Sequence, residues 1–94
     1  MSSKTERECE VEVRTWGFKH VFTWTDSPNA HYPPHKHEGL TTHLIVRGQF
    51  TITYPKDPSP TKETFGPGGR IDVDANKVHE VWVGEEGCTY VVGE

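Results

Sequence analysis

The sequence predicts an all-β domain, a sandwich or barrel of short antiparallel strands. Three observations predict it. Apolar and polar side chains alternate along several runs, as they do when one face of a strand is buried and the other is wet. Clusters of Gly, Pro, Asn and Asp separate those runs at fairly regular spacing. No segment carries a convincing helical period. At 94 residues the chain makes one domain with a small core, read as a flexible polar stretch over 1–7 and a folded unit over 8–94.

Residues 8–14 alternate strictly, with Cys9, Val11 and Val13 on one face and Glu8, Glu10, Glu12 and Arg14 on the other. That pattern predicts a half-buried strand. Trp16, Phe18, His20, Phe22 and Trp24 alternate in the same way and predict a second strand with an aromatic face. His20 reads there as a hydrogen-bonded packing residue, and the turn chemistry of Asp26-Ser27-Pro28-Asn29 closes the strand. Residues 40–54 read as two strands joined at Arg47-Gly48, where Gly supplies a positive φ. Such a turn pairs 45 with 50, 43 with 52 and 41 with 54, and paired residues share a face. Thr41, His43 and Ile45 then face the interior with Phe50, Ile52 and Tyr54.

Residues 55–60 form a Pro-punctuated surface loop, and Gly66-Pro67-Gly68-Gly69 a tight turn. Ile71 and Val73 begin the next strand, and Asp74-Ala75-Asn76-Lys77 turns the chain again. Residues 78–83 put His79, Val81 and Val83 on one face. Glu85-Glu86-Gly87 reads as a further turn before a last strand over 88–92. Leu44, Val46, Val78 and Trp82 point away from the interior and suggest a second apolar surface, the ground for expecting a homodimer.

Composition narrows the function classes. Apolar residues make up only 32% of the chain, but their concentration in alternating runs argues for a folded domain over a disordered one. Ten basic against 14 acidic residues give a net charge of −4 with no basic stripe, which argues against a nucleic-acid partner. No apolar segment is long enough to span a bilayer, and the first residues lack a signal-peptide core, so the expected setting is soluble and cytoplasmic, with no membrane partner. Cys9 and Cys88 are accordingly expected as buried free thiols.

The chemistry concentrates in Tyr32-Pro33-Pro34-His35-Lys36-His37-Glu38-Gly39. The two prolines favour extended backbone, in which side chains two apart point the same way. His35 and His37 can then address one metal ion from one face, and neutral imidazole is the commonest protein ligand for such an ion. The alternative is a solvent-exposed loop with incidental histidines. Glu38 and Glu80 lie on the opposite faces of their strands from His37 and His79 and read as surface charges, and His31 as a loop residue at the mouth.

Taken together these residues resemble a single-domain cupin, a small β-barrel of the jelly-roll or double-stranded β-helix type. His35, His37 and Gly48 fall in register with the first cupin motif, and Gly68 and His79 with the second. Asn29 stands where the first motif opens with Gly, and Thr41 stands where it carries Glu. In the second, Asp74, Asn76 and Val83 replace Pro, Gly and Asn. The resemblance implies that His35, His37 and His79 bind a divalent transition metal: Fe, Mn, Ni, Cu or Zn. With Thr41 at the Glu position, inward-facing His43 is expected either as a compensating fourth ligand or as a proton acceptor beside the metal. Thr41, Ile45, Phe50, Ile52 and Tyr54 are expected to wall the substrate pocket.

Three imidazoles leave the charge of the ion uncompensated and its coordination open, so a small anionic or chelating organic molecule is the expected substrate or ligand. The leading expectation is an oxygenase-type metal enzyme. A non-catalytic module that binds a metal or small ligand is the second, and a structural barrel with no ligand the third.

Overall fold

The computed structural model describes residues 4–94. It opens on a helix, α1 (Glu6–Thr15), followed by six strands: β1 (Val21–Asp26), β2 (His31–His35), β3 (Thr41–Thr53), β4 (Glu63–Phe65), β5 (Arg70–Val73) and β6 (His79–Gly93). All pairings are antiparallel, and the all-β prediction holds for everything after the helix.

β3 and β6, of 13 and 15 residues, lie side by side through the middle of the molecule. β1 pairs with the C-terminal part of β6 and β5 with the N-terminal part of β3. β2 pairs with the first residues of β6, and β4 with the end of β3. The two long strands therefore serve both halves of the fold. Their inward faces meet in one core that includes Ile45, Phe50, Ile52, Val81 and Tyr90.

α1 replaces the strand expected over 8–14. A helical face repeats every three to four residues, so Cys9 and Val13 share it, and both are buried. Val11 lies between them and is 54% exposed, which a buried strand face would not allow. Thr5 and Glu8 form a capping box: the Thr5 hydroxyl accepts from Glu8 N–H and the Glu8 carboxylate accepts from Thr5 N–H. Glu6 and Glu8 lie in the first turn and Arg14 in the last, as the helix dipole favours. Of the N-terminal stretch expected to be flexible, residues 1–3 lie outside the described residues, while Thr5 within it caps the helix. The strand expected from Trp16 starts only at Val21, because Trp16 is the helix C-cap.

α1 covers part of the face that the sequence offered as a dimer surface, Leu44 and Val46, while Val78 and Trp82 stay half-buried outside that cluster. Cys9 and Val13 pack with Leu44, Val46 and Val91 in a second buried cluster, edged by Trp16, Phe18 and Val21. The chain thus covers Leu44 and Val46 itself. Cys9 and Cys88 are both buried free thiols, and no described helix is long and apolar enough to cross a membrane.

The hairpin expected at Arg47-Gly48 is absent, and β3 runs straight through it. Its register against β6 slips between Ile45 and Arg47 and again between Gly48 and Phe50. Gly48 holds φ 83°, and a Cβ built there would lie 2.1 Å from the Gly87 carbonyl oxygen. The glycine makes a bulge where β3 and β6 cross closely, not a chain reversal. The facing pattern survives this change, because a bulge absorbs one residue and flips the parity of the strand. Ile45, Phe50 and Ile52 share the inner core, and Leu44 and Val46 lie on the other side. Likewise, residues 85–87 lie within β6 at its register slip instead of forming a separate turn.

Candidate metal centre

β2 ends on His35, and the antiparallel register places His79, the first residue of β6, directly across from it. The two rings stand 4.2 Å apart between centroids. His37 follows in the loop after β2, its ring 5.0 Å from His35 and 5.2 Å from His79. Its carbonyl accepts from Asn76 N–H at 2.7 Å. Asn76 is in the left-handed region, φ 62°, within the turn that delivers His79. One hydrogen bond therefore ties the loop carrying His37 to the turn preceding His79.

The ring orientations are set by the backbone. His35 Nδ1 lies 2.8 Å from the Pro33 carbonyl and His79 Nδ1 2.8 Å from the Lys77 carbonyl. A carbonyl only accepts, so each Nδ1 carries a proton, and in the neutral imidazole Nε2 is then the nitrogen with the free lone pair. Each of His35, His37 and His79 offers one nitrogen, and these three atoms all lie within 4.8 Å of one another. His79 is 2% exposed, and burial lowers its pKa, favouring the neutral form that a metal requires. The donor set suits an imidazole-ligated transition metal.

The other expected site residues separate. His43 lies outside the three-nitrogen cluster but lines the same cavity. Its Nδ1 makes a long contact, 3.4 Å, to the Ile71 carbonyl, and its ring packs 5.3 Å from Phe50 and 5.6 Å from Tyr90. Burial pushes its pKa down to about 4, so the ring is neutral at physiological pH. Thr41 and Phe50 also line the cavity. Ile45 and Ile52 lie in the core instead, and Tyr54 lines a different groove with Asp57 and Lys77. His20 is exposed, with Nδ1 2.9 Å from a Glu94 carboxylate oxygen and its ring tilted against Phe22. His31 stacks on Trp82 and meets the Glu80 carboxylate at 2.6 Å, while Glu38 is exposed.

The cavity has a volume of about 400 Å³, and part of its wall was missed by the sequence reading. Phe22, Trp24, Tyr32 and Tyr90 all contribute to it. Behind them is Asp26, buried, with three donors on its carboxylate. Trp24 Nε1–H donates to Oδ1 at 2.9 Å, the Tyr32 hydroxyl donates to the same oxygen, and the Tyr90 hydroxyl donates to Oδ2 at 2.7 Å. Burial, with Asp26 next, raises the pKa of both tyrosines and keeps them protonated donors. The available signal was the alternation Phe22, Trp24, Asp26, which puts the carboxylate on the aromatic face.

No family model matches the sequence, and no curated protein does. Solved structures do. The cupin domain of Drosophila melanogaster CENP-C superposes with a TM-score of 0.67 at 9% identity, over 77% of this chain and 57% of that one. The polyketide cyclase RemF from Streptomyces resistomycificus gives 0.66 at 26% identity, over 77% of this chain and 50% of that one. A cupin superfamily protein from Desulfitobacterium hafniense gives 0.62 at 17% identity, over 80% of this chain and 76% of that one. The chain thus spans little more than half the length of the first two. The paired long strands, the inward histidines and these superpositions give one conclusion: this chain has the cupin fold.

Proposed function

We propose that the chain is a metal-dependent cupin enzyme of oxygenase type, acting on a small organic molecule in the cytoplasm. One observation carries the metal: one ring nitrogen from each of His35, His37 and His79 lies within 4.8 Å of the others, while the carbonyls of Pro33 and Lys77 engage Nδ1 of His35 and His79 and leave Nε2 of each available as a ligand atom. His35, His37 and His79 would hold the ion. A bound redox-active metal would supply activation of dioxygen or of the substrate at its open positions. The rest falls to the chain's own side chains. Phe50, Val81 and Val92 form the apolar part of the site's wall. His43, neutral and with Nε2 free, accepts a hydrogen bond from a molecule in the cavity; its lowered pKa makes it a weak proton acceptor, and this outer role agrees with its position better than that of a fourth ligand. Two buried thiols with no disulfide suit a reducing compartment.

RemF is a polyketide cyclase, which shows that a chain of this fold can be an enzyme. A ligand-binding module without turnover is the second reading, since three imidazoles beside a cavity of about 400 Å³ suit ligand binding equally well. The test is metal analysis of protein purified without a histidine tag. His35→Ala, His37→Ala and His79→Ala are each expected to lose the ion. Oxygen consumption with candidate substrates then separates turnover from binding alone. Retention of one equivalent of metal by all three variants would sink the proposal.

A further inference from the structure

The cavity has a sharply divided lining, and the division specifies a ligand. On the side of Trp24, Tyr32 and Tyr90, each polar hydrogen is already donated to Asp26. These rings have no donor hydrogen left for a ligand and, together with Phe22 and Phe50, present a mainly apolar wall. Aromatic rings packed at offset or edge-to-face angles favour another aromatic ring. Phe50 and Tyr90 already meet edge to face, with centroids 5.2 Å apart.

Polar capacity remains elsewhere. Thr41 lines the cavity, is 5% exposed, and its Oγ1 has no hydrogen-bond partner among the described residues. A buried hydroxyl without a partner is costly and uncommon in a folded protein. Valine would fill the same space and suit a strand as well. Thr41 Oγ1 is closed to solvent as it stands, and a turn about χ1 toward the cavity that Thr41 lines would let it donate to a ligand oxygen, while His43 Nε2 can accept from a ligand hydroxyl. Among the described residues no Lys or Arg lines the cavity, and its one charged side chain is the Glu94 carboxylate. A phosphate or a dicarboxylate would find no side-chain cation there.

We infer that the cavity binds a small aromatic molecule carrying a phenolic or enolic hydroxyl, its oxygen held by Thr41 and His43 and its rings by the aromatic wall. The inference rests on the proposed metal site only for the further partner that a metal would give the same oxygen. A cavity of about 150 Å³ holds one benzene ring, so a volume of about 400 Å³ has room for two fused rings.

The test is a titration of the zinc-loaded and metal-free full chain with 2-naphthol, 2-naphthyl phosphate and 2-decalol, followed by NMR of the tryptophan indole N–H signals. Trp24 lines the cavity, whereas Trp16 and Trp82 lie outside its lining, so a bound ligand should move one indole of the three. In the metal-free chain 2-naphthol should bind about tenfold tighter than either of the other two compounds, and in the zinc-loaded chain about tenfold tighter than 2-decalol. Thr41→Val should weaken 2-naphthol about tenfold, leave zinc stoichiometry unchanged, and raise the melting temperature of the ligand-free protein. Tighter binding of the phosphate by the metal-free chain, equal binding of the saturated alcohol, or an unchanged 2-naphthol affinity in Thr41→Val would overturn the inference. If zinc fails to bind the wild-type chain, the metal reading falls by itself, and the metal-free titration still decides this one.

Discussion

Replacing His79 by Ala tests the centre most directly. The substitution removes one of three converging nitrogens and leaves the Lys77 carbonyl without its imidazole partner. Loss of a buried ring and a hydrogen bond lowers the stability of the metal-free variant by about 2–4 kcal/mol. The informative quantity is therefore the increment in melting temperature on adding metal. At a free concentration one hundred times Kd, linkage stabilises the folded state by about 2.7 kcal/mol. For a chain of 94 residues each kcal/mol is worth about 4–8 °C, so the wild type should gain about 10–20 °C. Removing an outer hydrogen-bond partner of a metal-bound imidazole costs about 10–100-fold in affinity, and removing the imidazole itself should cost at least the upper figure. A hundredfold weaker site at the same metal concentration retains about 0.4 kcal/mol, or about 2–3 °C. Differential scanning fluorimetry with Zn²⁺, Ni²⁺ and Mn²⁺ on untagged protein reads this directly. An increment in His79→Ala equal to the wild type's would refute the reasoning.

Other parts of the fold make separate predictions. His43 has its pKa lowered to about 4 from an unfolded value near 6.5, so the unfolded chain binds the extra proton first as pH falls. Stability should drop between about pH 6.5 and 4, by roughly 3 kcal/mol from this group, and urea titrations of His43→Gln should show a shallower slope there than wild type. Thr5→Ala breaks the capping box and should cost about 1 kcal/mol in the same assay; no loss would count against a capped helix at the N-terminus. Gly48→Ala places a Cβ against the Gly87 carbonyl at positive φ and should cost more than about 1 kcal/mol. Were Gly48 instead in an exposed hairpin turn, Ala would bring only the backbone strain, with no contact to Gly87.

How much of this was legible depends on the range of the signal. His35, His37 and His79 were readable because two short spacings and a strand register fix them, and the structure gathers their nitrogens. The inward face of β3 was readable for a reason that also explains the error about its middle. A two-residue turn and a one-residue bulge both bring residues 45 and 50 to the same side, so side-chain alternation cannot tell them apart. The deciding fact is the partner strand β6, which lies far along the chain. Over 8–14, a period of two and a period near four coincide at Cys9 and Val13. Only Val11 separates them, and its exposure is not visible in a sequence. The Thr5 and Glu8 spacing is a helix-start signal that the reading by alternation did not use.

Asp26 shows where local reading stops. Beside Ser, Pro and Asn it carries every mark of a turn residue, and it does end β1. Its chemical task comes from Tyr32, six positions away, and Tyr90, 64 positions away, which β2 and β6 bring to it. By taking up both hydroxyls and the Trp24 N–H, the carboxylate leaves an aromatic wall that behaves as apolar toward the cavity. The same β6 that carries Tyr90 into that wall begins with His79 in the metal cluster. Its bulge at residues 84–87 lets one strand serve both ends, the polar pole beside β2 and the apolar wall beside β1. Replacing the Asp26 carboxylate by an amide keeps one acceptor oxygen and turns the other into a donor, so at least one of the Tyr32 and Tyr90 hydroxyls loses its acceptor at the apolar end of the cavity without an imidazole being touched. Asp26→Asn should accordingly weaken 2-naphthol binding while metal stoichiometry, read by elemental analysis, stays at the wild-type value. Loss of metal together with ligand would show that the two ends are not independent.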